Sequence, residues 1–252
     1  MWESVLTTFV ASFCSTTGID VIQGYLTESE LRQLHHRFGH PSAQRLIDLL
    51  EKANHEDFER KVIEKLTRYC HFCQKHGKSP NRFKFTLREE DNMRFNHTII
   101  VDIFYIDNSP ILHVVDEATR FQAARWLQNV TAQHTWNVLK ACWIDTYTGP
   151  PDIITHDAGK QFTSREFNQL ASTMAISTKC VPVEAHQSIG IVERYHLPLR
   201  RAYSIIMEEL KGQGTGINKA IALQMAVKAI NDTAGPNGIV PTLLVFGTSP
   251  RL

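Results

Sequence analysis

Three strand-like runs in succession constrain the fold of this 252-residue chain more than any other feature of its sequence. Apolar and β-branched residues dominate Ile99 to Ile106, Ile111 to Val115 and Phe121 to Leu127, which predicts three consecutive strands. Helical and strand-like segments then alternate: a helix over about 131–146, a strand at 153–154, a helix over about 164–174, a strand over 178–183 and a helix over about 190–210. This order predicts an α/β fold, a mixed five-stranded sheet with helices on both faces.

The part of the chain before residue 78 is predicted to form short helices. Thr27 and Glu30 have the spacing of a capping box, which opens the first helix, and a second helix begins near Ser42. A third carries Phe58, Val62, Ile63 and Leu66 at helical spacing. We therefore divide the chain into a loosely ordered leader (1–24), a small helical domain (25–78), a basic linker (79–96) and a large α/β domain with a C-terminal helical part (97–252).

Two histidines and two cysteines lie on either side of a predicted helical hairpin in the small domain. His35, His40, Cys70 and Cys73 match the tetrahedral nitrogen and sulfur ligands that zinc prefers. Four protein ligands leave no open position for chemistry, so we predict one structural Zn²⁺. His36 remains an alternative to His35 because both lie on one helical turn. A redox dithiol is the competing interpretation, but a thioredoxin-like motif would follow a strand, whereas a helix precedes this one.

The other cysteines and the hydropathy pattern restrict the class of protein. We predict that Cys14, Cys142 and Cys180 are ordinary buried thiols, since an odd count of five without a repeating framework argues against a disulfide scaffold. No apolar run approaches the roughly 18 residues needed to span a membrane. The first residues also lack the positively charged start of a secretory signal. These patterns favour a soluble intracellular protein.

Three acids are placed where a sheet of the predicted order would bring them together. Asp102 lies within the first strand, Asp157 follows the fourth strand, and Glu193 lies near the start of the last helix. A buried carboxylate is costly unless a cation compensates it, and three converging carboxylates suit hard divalent ions. Each also has a structural interpretation, as an ion-pair partner, a turn cap or a helix N-terminal acid. Three further acids are rival candidates: Asp107, Asp116 and Glu184.

Together these motifs resemble the integrase of copia-type LTR retrotransposons, especially that of fungal Pol polyproteins. The zinc module and the acidic triad are also similar to those of retroviral integrases. The resemblance covers roughly residues 25 to 252 and rests on the runs LHHRFGHPS (34–42), CHFC (70–73), VVDEAT (114–119), HDAGK (156–160) and GIVER (190–194). Ala158 departs from it, since many relatives have Asn at that position. The C-terminal DNA-binding region expected of the family is missing from this sequence or lies in a different piece.

The resemblance implies a ribonuclease-H-like catalytic core preceded by a helical HHCC zinc-binding domain. Asp102, Asp157 and Glu193 would then hold two Mg²⁺ or Mn²⁺ ions, and the protein would process the 3′ ends of element DNA and join them to target DNA. The implied partners are both DNAs and further copies of the chain assembled on them, which implies a nuclear location. The candidate DNA-contacting cations are Lys78, Arg82, Lys84, Lys160, Lys179, Arg194, Arg200 and Arg201.

Two other functions compete with this interpretation. The chain could be an element-derived protein that binds DNA or an integrase but no longer cuts, although an intact triad argues against decay of the site. A ribonuclease acting on RNA in hybrids fits the same fold, but it predicts a fourth acid and no His/Cys module. The zinc module therefore favours an integrase over a ribonuclease.

Overall fold

In this computed structural model the described residues are 26–53, 55, 57–77, 94–181, 186–212, 218–235 and 238–248. The predicted leader lies outside them, as do most of the predicted linker and the candidate DNA-contacting residues Lys78, Arg82 and Lys84.

Short helices build the N-terminal part, as predicted. They are α1 (Glu28–Arg37), α2 (Ala43–Lys52), α3 (Arg60–Tyr69) and α4 (His71–Lys75). The capping box at Thr27 is formed, because its side chain accepts from the Glu30 amide and the Glu30 carboxylate accepts from the Thr27 amide at 2.8 Å. Leu31, Leu46 and Ile63 meet in a small core that holds α1, α2 and α3 together.

The larger part of the molecule is built on one mixed sheet with the strand order β3-β2-β1-β4-β5. The strands are β1 (Thr98–Ile106), β2 (Ser109–Asp116), β3 (Gln122–Trp126), β4 (Ile153–His156) and β5 (Ser177–Cys180). β1 pairs antiparallel with β2, and β2 pairs antiparallel with β3. On the other side of β1, β4 pairs parallel with β1 and β5 pairs parallel with β4. The predicted five-stranded mixed sheet is confirmed.

A two-residue turn joins β1 to β2. Ile106 pairs with Ser109, and both intervening residues, Asp107 and Asn108, have positive φ angles of 48° and 59°. Asp and Asn tolerate this left-handed conformation, whose twist matches that of a hairpin. The strand β2 therefore begins at Ser109, two residues before the predicted start of the second strand at Ile111.

Helices cover both faces of the sheet. They are α5 (Ala132–Leu139), which continues into a π-helical segment (Lys140–Ile144), α6 (Lys160–Thr163), α7 (Arg165–Thr173), α8 (His186–Gly212), α9 (Lys219–Asn231) and α10 (Pro241–Phe246). Alternate residues of β1 face opposite sides, so Ile99 and Val101 pack with α5 and α7, whereas Ile100 and Phe104 pack with α8 and α9. Within the described residues, no helix is both long and apolar enough to cross a membrane.

Candidate functional site

The first two acids of the predicted triad lie on neighbouring parallel strands. Val101 of β1 is aligned with His156 of β4, so the residues that follow them, Asp102 and Asp157, come side by side. Asp102 has the parity of Ile100 and Phe104 in β1, which places its carboxylate on the sheet face covered by α8. Asp157 lies one residue beyond the end of β4.

The third acid reaches this edge from α8, which packs along β1. Val192 is fully buried, and Glu193 beside it is exposed. Burial, together with the negative charges of Asp157 and Glu193, raises the pKa of Asp102 to about 6, although a hydrogen bond from the Ile103 amide opposes this rise. The three carboxylates therefore share one electrostatic environment. They do not form a set whose oxygens all lie within 4.8 Å of one another, in contrast to the two His-containing groups described below.

A histidine that the motif analysis did not assign to the site lies next to Asp102. His196 Nε2 is 3.5 Å from Asp102 Oδ2, and its ring stacks on Phe104 with centroids 4.2 Å apart. Burial, with the nearby His113 and Arg200, lowers the pKa of His196 to about 3. The imidazole is consequently neutral at pH 7 and supplies no positive charge to Asp102.

The loop after β4 is shaped around Asp157. Its Oδ1 accepts a hydrogen bond from the Gly159 amide at 3.0 Å, and a Cβ built on Gly159 would lie 2.9 Å from the same oxygen. A larger residue at 159 would therefore push against the carboxylate. Lys160, which begins α6, is exposed just after this loop.

The rival acids occupy other environments. Asp116 is fully buried and accepts hydrogen bonds from the Asn96 amide at 2.8 Å and from the Thr119 amide and hydroxyl at 2.7 Å. It fixes the turn between β2 and β3, and its partner in the register, Ile99, lies toward the start of β1. Asp107 is exposed in the β1–β2 turn. Glu184 lies outside the described residues.

The four predicted zinc ligands converge on one point in the N-terminal helices. His40 Nδ1 lies 3.1 Å from His35 Nε2, 3.4 Å from Cys70 Sγ and 3.8 Å from Cys73 Sγ. The sulfur of Cys73 is 3.3 Å from His35 Nε2. Both histidines are buried and both cysteines are half-buried.

These separations fit a tetrahedral zinc site. Zinc bonds of about 2.0 Å to nitrogen and about 2.3 Å to sulfur place neighbouring ligand atoms roughly 3.3–3.8 Å apart. The observed range of 3.1 to 3.8 Å is close to that requirement. The residues present could thus hold one Zn²⁺ with little rearrangement.

The choice between His35 and His36 follows from the direction of their rings. His35 Nε2 points into the cluster, whereas His36 Nδ1 lies 2.6 Å from Glu209 Oε1 on α8. His36, His40 and Glu209 form the second close group of potential ligands. Glu209 was absent from the sequence analysis, and no local signal could have revealed it, because 169 residues separate it from His40.

The remaining thiols only partly match the prediction. Cys142 is buried, as predicted, and Cys14 lies outside the described residues. The prediction for Cys180 was wrong, because its thiol is exposed at the end of β5. β5 is an edge strand with only Thr178 half-buried, so apolar neighbours in the sequence did not imply burial.

The candidate DNA-contacting cations have different environments. Lys160, Lys179, Arg194 and Arg200 are exposed. Arg200 donates to the Tyr105 carbonyl at 3.1 Å and lies over the Phe104 ring. Arg201 is half-buried and donates to the Gly77 carbonyl at 3.0 Å, so it faces the His/Cys cluster.

Comparison with known proteins agrees with the architecture. The structure resembles the catalytic core domain of BIV integrase with a TM-score of 0.50 and 21% sequence identity, over 60% of this chain and 95% of that domain. This likeness shows the fold alone, which is ribonuclease-H-like as predicted. The chain is also 26% identical over 235 residues to the uncharacterized protein K02A2.6 of Caenorhabditis elegans. That match covers 92% of this chain, which spans only 18% of the length of that relative. No protein-family model matches the chain.

Proposed function

We propose that the chain is the zinc-binding and catalytic part of a retrotransposon integrase, which processes DNA 3′ ends and joins them to target DNA. The observation that carries the proposal is the placement of Asp102, Asp157 and Glu193 at one edge of an integrase-like sheet, where their charges act on one another. A copia-type, fungal origin remains a prediction from the sequence motifs.

The donor set suits divalent cations. Three carboxylates offer only hard oxygen ligands, the kind that Mg²⁺ and Mn²⁺ prefer over nitrogen or sulfur. Burial of Asp102 beside two further acids creates a local excess of negative charge, which neutral His196 does not offset. Two bound ions would supply Lewis-acid activation of the attacking oxygen and stabilisation of the leaving oxygen. Asp102 and Asp157 would be held firmly by β1 and by the Gly159 loop, while exposed Glu193 would close the site from α8.

The other residues would position DNA and leave the chemistry to the carboxylates. Lys160 lies shortly after β4, and Lys179 lies beside β4 on β5, so both are near Asp157. Their exposed ammonium groups can contact phosphates there. Arg194 lies next to Glu193 on α8. The contacts of Arg200 and Arg201 with main-chain carbonyls favour structural roles for both. Lys78, Arg82 and Lys84 remain candidates from the sequence alone.

The domain boundaries predicted from the sequence complete the proposal. The HHCC module over 25–78 would be structural, because its four ligands saturate a zinc ion. The basic linker over 79–96 and the core over 97–252 would both bind along the DNA backbone. Multimers of the chain on element and target DNA, in the nucleus, would carry out the reaction.

A DNA-joining assay tests the activity directly. Purified protein is incubated with labelled blunt DNA ends and plasmid in Mg²⁺ or Mn²⁺, in parallel with Glu193→Gln. We expect joining by the parent and a loss of at least about 100-fold in the variant, because losing several kcal/mol of transition-state stabilisation removes a factor of ten per roughly 1.4 kcal/mol. Glu166→Gln is the matched control, since Glu166 is an exposed acid on α7.

The same assay distinguishes the catalytically silent alternative. DNA binding without joining by the parent, repeated with a chain extended at both ends, would support a binding protein and contradict the proposed enzyme. Equal joining by the parent and Glu193→Gln would show that the Glu193 carboxylate is not part of the catalytic site.

A further inference from the structure

Helix α8 belongs to the catalytic domain, yet it reaches the His/Cys cluster of the N-terminal helices. Glu209 Oε1 lies 2.7 Å from His40 Nε2 and 2.6 Å from His36 Nδ1. The Glu209 side chain is 14% exposed and that of His40 is 0% exposed, so the contact between these two is largely shielded from water. The side chain of His36 is 42% exposed. A carboxylate from one domain therefore lies directly behind a proposed metal ligand of the other.

The two nitrogens of His40 have different partners. Nδ1 faces His35, Cys70 and Cys73, so it is the nitrogen that would bind zinc. A neutral imidazole with an unprotonated Nδ1 carries its proton on Nε2, and among the described residues the acceptor for that N–H is Glu209. A carboxylate in this position fixes the ring and increases the basicity of the ligating nitrogen. For the same reason the group of His36, His40 and Glu209 does not form a second metal site, because Nε2 of His40 keeps its proton.

The other ligands show why Glu209 matters. His35 Nδ1 is buried and has no hydrogen-bond partner within the described part of the chain. Of the two histidines that are proposed zinc ligands, His40 is therefore the one with an outer hydrogen-bond partner among the described residues, and that partner is Glu209. Arg201, about two helical turns before Glu209 on α8, also contacts the N-terminal helices, because it donates to the main-chain carbonyls of Gly77 at 3.0 Å and His40 at 3.5 Å.

We propose that Glu209 of α8 is an outer-shell positioning residue for the zinc ligand His40, so that zinc binding and docking of the helical module on the catalytic domain are energetically coupled. This inference rests on the zinc site of the proposed function. Glu193 lies sixteen residues earlier on the same helix, about 24 Å at 1.5 Å per residue. A single helix, with Pro198 in its interior, thus connects the zinc module to the proposed catalytic acid.

Zinc affinity measured on the full chain tests the coupling. Zinc-loaded protein is titrated with a chromogenic chelator, and the apparent dissociation constant is compared between the parent and Glu209→Ala. Loss of an outer-shell carboxylate typically weakens metal binding by about 10- to 100-fold, and we expect a change in that range. Glu209→Gln keeps the side-chain volume and one acceptor, so it should fall between the parent and Glu209→Ala and serves if the alanine variant does not fold.

Glu208→Ala is the matched control. Glu208 is adjacent on α8 and accepts from Lys75 Nζ at 2.5 Å and from His76 Nε2 at 2.8 Å, so it contacts the same module without contacting a zinc ligand. We expect its zinc affinity to stay within about twofold of the parent. Equal affinity in Glu209→Ala and Glu208→Ala would overturn the inference.

Zinc stoichiometry separates this inference from the proposed function. A parent that binds one zinc per chain, together with an unaffected Glu209→Ala variant, would contradict only the role of Glu209. A parent that binds no zinc would contradict the zinc site as well. Neither result depends on DNA joining, which is measured separately.

Discussion

Asp102 is under the strongest electrostatic constraint of the proposed triad. Its side chain is 15% exposed and lies near two other acids, while the adjacent His196 is neutral. In the absence of a cation, ionised Asp102 therefore opposes folding. The same arrangement would favour a bound cation, because the cation removes the repulsion and replaces lost hydration.

Stability of the metal-free protein should depend on pH through Asp102. Its folded pKa of about 6 lies above the unfolded value of 3.8, so the folded chain holds more protons between these values. The contribution of Asp102 to the free energy of unfolding should consequently fall as pH rises from about 4 to 6, by at most about 3 kcal/mol at 1.36 kcal/mol per pKa unit. The buried histidines His35, His113 and His196 contribute in the opposite direction, because burial lowers their pKa values to about 3, 4 and 3. The contribution of Asp102 is therefore measured as the stability difference between Asp102→Asn and the parent, which should grow from about pH 4 to 6 and leave the variant more stable than the parent at pH 7 in EDTA. Urea unfolding at several pH values measures both effects.

Asp152→Asn is the control for that comparison, because the side chain of Asp152 is 73% exposed. It should leave the pH dependence of the parent unchanged. Adding Mg²⁺ should then stabilise the parent and not Asp102→Asn, since only a bound ion shifts the folding equilibrium. Identical pH profiles of unfolding for the parent and Asp102→Asn would show that the ionised Asp102 carboxylate does not oppose folding.

The sequence predicted which His and Cys side chains come together better than it predicted their surroundings. His35, His40, Cys70 and Cys73 were predicted as a group because their nitrogen and sulfur atoms suit zinc, and the structure brings these atoms together. Glu209 and His196 could not be found in this way. Each acts through a contact with a residue far away in sequence, which depends on how α8 packs.

Strands β1 and β2 were predicted well because most of their residues are buried, which leaves a continuous apolar run in the sequence, whereas β5 is mostly exposed. The helices were predicted less accurately at their ends and interiors. A single helix was expected over about 131–146, whereas α5 changes to a π-helical segment at Lys140. The short helix α6 was also missed, because four residues carry too little periodicity for detection.

Asn231, the last residue of α9, hydrogen-bonds to the main chain of the edge strand β3 in the way that a neighbouring strand would. Its Oδ1 accepts from the Gln122 amide at 2.9 Å and its Nδ2 donates to the Gln122 carbonyl at 2.8 Å. Both residues are buried, so an alanine at 231 would leave two main-chain groups without partners. We expect Asn231→Ala to lower the free energy of unfolding by about 2–4 kcal/mol, given roughly 1–3 kcal/mol for each buried unsatisfied group. Chemical denaturation measures this loss.

Asn231→Asp refines the test, because a carboxylate can still accept from the amide but cannot donate to the carbonyl. It should also be destabilising at pH 7. Gln224→Ala offers a comparison on the same helix, since Gln224 makes a single, half-buried hydrogen bond to the Ala124 carbonyl. A loss no larger in Asn231→Ala than in Gln224→Ala would argue against the paired bridge.

The N-terminal helical module docks on α8 and α9 through charges and close packing. Glu208 pairs with Lys75 and His76, Glu209 pairs with His36 and His40, and the module backbone also approaches α9. A Cβ built on Gly39 would lie 2.8 Å from the Cβ of Ala229. The two parts can meet at this point only because residue 39 has no side chain.

Two glycines of the module allow this packing to be isolated. Gly39 and Gly77 have nearly equal φ angles, 66° and 67°, but a Cβ on Gly77 would meet nothing within 4 Å in the described structure. Alanine at either position should cost about 1–2 kcal/mol for the left-handed backbone. Gly39→Ala should cost about 1–3 kcal/mol more, because it overpacks the contact with Ala229. Equilibrium unfolding of the zinc-loaded chain measures the difference. Equal losses in the two variants would mean that the module does not rest on α9 in solution, and the coupling through Glu209 would then lose its structural basis.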